Sequence, residues 1–158
     1  MTSPKYSVHL IVLSAILAAA SHTRAAEPHY LGAWTIESAR LAPWADPIHP
    51  LAPHEPAQLK GKIITFTAKA ISGPRDFTCK NPHYEMSDFT PDLLFQGAFE
   101  EMRSKDHRTD PAKVAVSLGF KGAAIRTLQT GCEFDFHFVD DATAEVGLND
   151  YVYTMRRR

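Results

Sequence analysis

The chain has only two cysteines, Cys79 and Cys132, among 158 residues. It carries no Gly-x-Ser-x-Gly elbow, no glycine-rich phosphate loop and no His-Glu-x-x-His pair, so those hydrolytic and nucleotide-binding chemistries have no motif to rest on. It lacks a basic surplus, with 17 Lys and Arg against 18 Asp and Glu, which excludes the electrostatic footprint of a nucleic-acid partner. Its apolar run from Val8 to Ala20 falls short of the ~20 residues that a membrane-spanning helix needs. Apart from one proline-rich stretch there is no low-complexity segment, and there is no internal repeat.

What is present begins with that short run. Lys5 precedes it and Thr23-Arg24-Ala25 follows as a small-x-small site. Together they predict a signal peptide over residues 1–25, with a buried N-terminal helix as the alternative. No cysteine follows the run to anchor a lipid. Removing Lys5 and Arg24 leaves 15 basic residues against 18 acidic ones, a formal charge of −3, with residues 26–158 as one domain. Export to the periplasm or beyond places the two cysteines in an oxidising medium, where a Cys79–Cys132 disulfide is expected. Closing a loop of that size is worth roughly 4 kcal/mol at most in the chain-entropy treatment. After cleavage no membrane span is expected.

The stretch Thr130 to Val139 alternates Cys132, Phe134, Phe136 and Phe138 with Glu133, Asp135 and His137. Period two predicts a central strand with one face in a core and the other toward water. A first strand is expected over His29 to Leu41, with Trp34, Ile36 and Ser38 on one face. A second is expected over Gly61 to Ser72, with Ile64, Phe66 and Ala68 inward. Shorter strands follow around Phe77 to Cys79 and Tyr84 to Phe89, then at Ala123 to Gln129, Thr143 to Leu148 and Asp150 to Arg156, about seven in all. Residues 42–56 hold five prolines, Pro43, Pro47, Pro50, Pro53 and Pro56, which predict an extended loop with neither helix nor interior strand. Between Pro91 and Phe120 the apolar residues Leu94, Phe95, Phe99 and Met102 recur at helical spacing. Asp110-Pro111 and Gly119 then read as the start and stop of a second short helix. The fold class is therefore mainly β, an antiparallel barrel or strongly curved sheet with a helical insertion.

With Gly32-Ala33-Trp34 on the first strand and Tyr153-Thr-Met-Arg156 on the last, the chain resembles the small exported lipocalin-like (calycin) proteins of proteobacteria. That resemblance implies a tryptophan closing one end of an up-and-down barrel beneath a basic residue of the last strand, here Trp34 and Arg156. Thr65-Phe66, Ile71-Ser-Gly73, Cys79 and Tyr84-Glu85 also resemble META-type domains.

Several residues are candidates for chemistry. Trp34, Trp44, Tyr84, Tyr151 and Tyr153 could line a cavity for a small apolar ligand or meet a periplasmic partner protein, or form plain core. Trp44 would sit on the proline-rich loop at the barrel mouth. Cys79, His83, Cys132 and His137 have spacings open to a zinc site, although the phase of the strand sets Cys132 and His137 on opposite faces. His49 and His54 are loop histidines that are either solvated or weak ligands. Asp135 and His137 share a face and could form an acid–base pair of a small hydrolase, or a solvated surface. The reading adopted is a non-catalytic binding protein with no cofactor and no metal.

Overall fold

The computed structural model describes residues 28–158; the signal peptide expected over 1–25 lies outside them. Nine strands form one antiparallel sheet: β1 (Gly32–Leu41), β2 (Ile63–Thr67), β3 (Ala70–Ser72), β4 (Cys79–Lys80), β5 (Glu85–Phe89), β6 (Ile125–Gln129), β7 (Phe136–Asp140), β8 (Thr143–Leu148) and β9 (Tyr151–Arg157). Their order is β4-β3-β2-β1-β9-β8-β7-β6-β5. Three α-helices accompany them among the described residues: α1 (Glu55–Leu59), α2 (Leu94–Lys105) and α3 (Pro111–Ser117).

Nine strands replace the expected seven or so, and the stretch Gly61 to Ser72 supplies one of the extra strands by folding back on itself as β2 and β3. Ala68 and Lys69 form a turn, held by the Thr67 hydroxyl, which accepts the Ala70 N–H and donates to the Ala70 carbonyl. Ala68 is therefore exposed at a hairpin tip instead of pointing inward with Ile64 and Phe66. The proline-rich loop also differs from expectation at its end, where Glu55 and Pro56 open α1. Proline is tolerated there because a first-turn residue has no intrahelical use for its N–H.

The two edge strands are joined by only four residues, Asn81 to Tyr84, so the sheet must curl until its ends approach each other. That linker bonds to both sides. The Asn81 N–H donates to the Lys69 carbonyl and the His83 N–H to the Thr130 carbonyl, while the Tyr84 hydroxyl donates to the Thr67 carbonyl. The Cys79–Cys132 disulfide, spanning a sequence separation of 53 with Cα atoms 6.4 Å apart, adds a covalent tie from β4 to the β6–β7 turn. The result is a strongly curled half-barrel.

Inside the curl, Trp34, Ile36, Ile64, Phe66, Leu128, Phe136, Phe138, Val146, Tyr153 and Met155 form one apolar core. The strand expected over Thr130 to Val139 is regular only from Phe136. The earlier residues form an ordered turn, in which the Thr130 hydroxyl donates to the Phe134 carbonyl and accepts the Cys132 N–H. A bulge between Ile36 and Ser38 shifts the phase of β1. Ala39, not Ser38, consequently packs on the core with Trp34, and Arg40 turns to the outer face.

That outer face is covered by a second apolar cluster of Leu94, Phe95, Phe99, Ala115, Leu118 and Phe120 from the helical insertion, packed on Ile125 and Val152 of the sheet. Asp110 caps α3 by accepting the Ala112 N–H at 3.0 Å, and Gly119 leaves the helix with a φ of +99°. The residue opposite Trp34 on β9 is Arg157; Arg156 lies opposite Thr35 and pairs with Glu37 at 3.5 Å. Arg156 is therefore not the register partner of Trp34 that the resemblance implies.

Candidate functional site

Between sheet and helices lies a row of polar side chains in cross-strand register. Thr127 faces His137, His137 faces Glu145, Glu145 faces Thr154 and Thr154 faces Ser38, so the row crosses β6, β7, β8, β9 and β1. Thr127, His137 and Glu145 are buried under the helices.

His137 is fully satisfied there. Its Nε2 accepts the Phe95 backbone N–H at 2.9 Å, and its Nδ1 lies 2.9 Å from the Thr127 hydroxyl, which also reaches the Ile125 carbonyl. A backbone N–H can only donate, so Nε2 must carry the lone pair and the neutral ring holds its proton on Nδ1. Burial pushes the His137 pKa down to about 3. Asp135 is not among its hydrogen-bond partners, so the expected acid–base pair is not assembled, and the expected solvated face is instead an interior one. Glu145 pairs with Arg40, whose guanidinium also donates to the Leu118 carbonyl. Burial nevertheless outweighs the arginine and pushes the Glu145 pKa up to about 7.

The Phe95 N–H that meets His137 belongs to an unusual turn. Phe95, Gln96 and Gly97, at the start of α2, have φ values of +52°, +56° and +82°. Left-handed backbone costs a residue other than glycine roughly 1–2 kcal/mol, and two of these three are not glycine. The turn carries Phe95 onto the His137 ring, with centroids 4.7 Å apart, and presents Gln96 to a surface cavity.

This cavity is an open groove of about 700 Å³ between the proline-rich loop, α2 and the β6–β7 and β8–β9 turns. Trp44, Phe95, Met102, Phe134 and Leu148 supply its apolar surface, and Gln96, Glu101, Lys105, Asp106, Glu133 and Asn149 its polar surface. The indole N–H of Trp44 donates to the Asn149 carbonyl at 3.2 Å, and its ring packs 5.2 Å from that of Phe95. Gly147 lets this happen: a Cβ there would stand 3.1 Å from Phe95 and 3.4 Å from Trp44. The loop itself is pinned to the β8–β9 turn. Leu51 N–H donates to the Asp150 carboxylate at 2.6 Å, and Glu55 accepts from Asn149 and the Tyr153 hydroxyl.

Neither a scan of protein-family models nor searches of curated proteins and of solved structures gave a match.

Of the aromatic residues singled out in the sequence, Trp44 alone lines this groove. Trp34, Tyr151 and Tyr153 belong to the core inside the curl, and Tyr84 packs against the same cluster from the linker side, its ring beside Tyr30 and Phe66. The Trp34 N–H donates to the Tyr30 carbonyl, and burial pushes the Tyr84 hydroxyl up to about 12. Both cysteine sulfurs are committed to the disulfide and cannot serve as thiolate ligands; His49, His54 and His83 are exposed. Among the described residues no three His, Cys, Asp or Glu side chains converge as a metal site requires, and no helix is long and apolar enough to cross a membrane. Sequence reasoning missed Phe95 to Gly97, Gly147 and Asn149. The available signal was Gly97, a glycine inside an otherwise helical pattern.

Proposed function

We propose that the protein is an exported, non-catalytic binding protein of calycin-like architecture that takes a small, mainly apolar ligand in the Trp44 groove. The observation that carries this reading is the groove itself. Its volume of about 700 Å³ lies in the range of small-molecule sites, and its lining is shared between an aromatic and aliphatic wall and polar side chains. Both aromatic walls are fixed before any ligand arrives, Trp44 by Asn149 and Phe95 by His137, which lowers the ordering cost of binding. The disulfide supports an oxidising compartment such as the periplasm, and the curled antiparallel sheet supports the calycin-like comparison. The concave interior is a less suitable site because large side chains fill it. A second reading, capping of another periplasmic protein by the loop, is favoured by Ile48 and Leu51, which are 77% and 63% exposed.

The test uses the neutral dye N-phenyl-1-naphthylamine with native mass spectrometry of protein isolated from its own compartment. Dye fluorescence should rise on binding, and Trp44→Ala should weaken that binding at least about tenfold, or ~1.4 kcal/mol, with the circular dichroism of the fold retained. An unaltered dye affinity in Trp44→Ala would rule out the groove, and a co-purifying protein in place of a small adduct would favour capping.

A further inference from the structure

We infer that the ligand of the Trp44 groove is an organic cation, an apolar body bearing an ammonium group; this rests on the groove reading above and adds the sign of the charge. Three carboxylates, Glu101, Asp106 and Glu133, line the groove against one basic side chain, Lys105. That lysine is already committed, because its Nζ lies 2.6 Å from Glu101 and holds that carboxyl below the usual range. Asp106 is gripped through both oxygens by Arg108, at 3.0 Å each, and its carboxyl too is held below the usual range. Arg108 is not one of the lining residues. Glu133 has no ion-pair partner among the described residues. The lining therefore carries a surplus of negative charge, with one carboxylate free to meet a cation and no free base to meet an anion.

The apolar side of the groove agrees with that sign. Trp44, Phe95 and Phe134 contribute aromatic rings, whose faces attract a cation through the ring quadrupole, indole most strongly. The Asn149 bond fixes the orientation of the Trp44 ring. Gln96 and Asn149 can accept hydrogen bonds from an ammonium without adding charge. An anionic ligand of the same shape would meet ring faces and carboxylates, both repulsive.

The experiment measures displacement of N-phenyl-1-naphthylamine from the mature protein by three compounds of one shape. These are benzyltrimethylammonium, its uncharged carbon isostere neopentylbenzene, and phenylmethanesulfonate. The ammonium compound should displace the dye at a concentration at least about tenfold below that of the isostere, with the sulfonate weakest. Glu133→Gln, at an exposed turn position, should narrow the cation-to-isostere ratio about threefold or more, each ratio being taken against that variant's own dye affinity. Salt at about 0.5 M should narrow it similarly by screening. A second variant, Glu101→Gln, frees Lys105 and should weaken the cation while strengthening the sulfonate. Equal displacement by cation and isostere, or a ratio indifferent to both substitutions, would overturn the charge assignment and leave the groove standing. Dye binding unaffected by Trp44→Ala would remove the groove reading itself.

Discussion

The two faces of one sheet are stabilised in different ways. The concave face is apolar and closed: Trp34 touches Phe138 and Phe66 touches Phe136, with ring centroids 5.6 and 4.8 Å apart, and no charged residue belongs to that core. The convex face, under the helices, mixes apolar packing with His137, Glu145 and Arg40, and borders the groove. Burial of apolar area is nearly independent of pH, whereas burial of titratable groups is not. One face therefore supplies stability that comes mainly from apolar burial. The other supplies stability that depends on protonation and on a strained turn, and the candidate ligand site lies beside it.

The largest expected effect tests the concave face. Phe136→Ala should cost about 3–5 kcal/mol in urea unfolding, because Phe136 is 1% exposed and surrounded by fixed neighbours. The loss should be the same at pH 5 and pH 8. A pH-dependent loss would mean that the two faces are energetically coupled.

The next effect tests the convex face through pH. The folded-state pKa of Glu145 is raised from 4.5 to about 7. The folded protein thus binds the proton more tightly than the unfolded chain, and stability falls as pH rises from about 4.5 to 7. The folded-state pKa of His137 is lowered from 6.5 to about 3. Its contribution is fully present above pH 6.5 and is lost as pH falls toward 3. Each slope is limited to ~1.4 kcal/mol per pH unit, and the two oppose each other where they overlap. Glu145→Gln removes one of them. Its unfolding free energy should then decline steeply below pH 6, where the wild-type curve is flatter; an unchanged pH profile would show that Glu145 is ionised in the fold.

The concave face was legible in the sequence because alternation reports which residues share a side: Phe136 and Phe138, Ile64 and Phe66, Trp34 and Ile36 all followed it. The disulfide was legible too, from the expected export signal and the cysteine count. The convex face was not, because alternation cannot say whether a polar side faces water or a covering helix. His137 carries the same sequence signal in either case. The phase shift at Glu37 and the turn at Ala68 were equally hidden, since a bulge and a tight hairpin each rest on hydrogen bonds that hydrophobic pattern does not encode. The groove depends on the left-handed turn at Phe95, and Leu94, Phe95 and Phe99 have the spacing of an ordinary helix.

The smallest expected effect concerns that turn. Gln96 holds a φ of +56°, a region in which glycine escapes the Cβ clash that other residues meet. If Gln96 contributes only backbone, Gln96→Gly should stabilise the protein by about 1 kcal/mol. The gain should appear on the convex side alone: added to Phe136→Ala, it should shift stability additively, as expected for substitutions with no shared partner. Because Gln96 also lines the groove, the same variant separates strain from recognition. A stabilised fold that binds N-phenyl-1-naphthylamine as the wild type does, but displaces it less readily with benzyltrimethylammonium, would assign the amide to the ligand's polar end. A destabilised Gln96→Gly would show that the Gln96 side chain, and not the His137–Phe95 bond alone, holds the turn in its left-handed form.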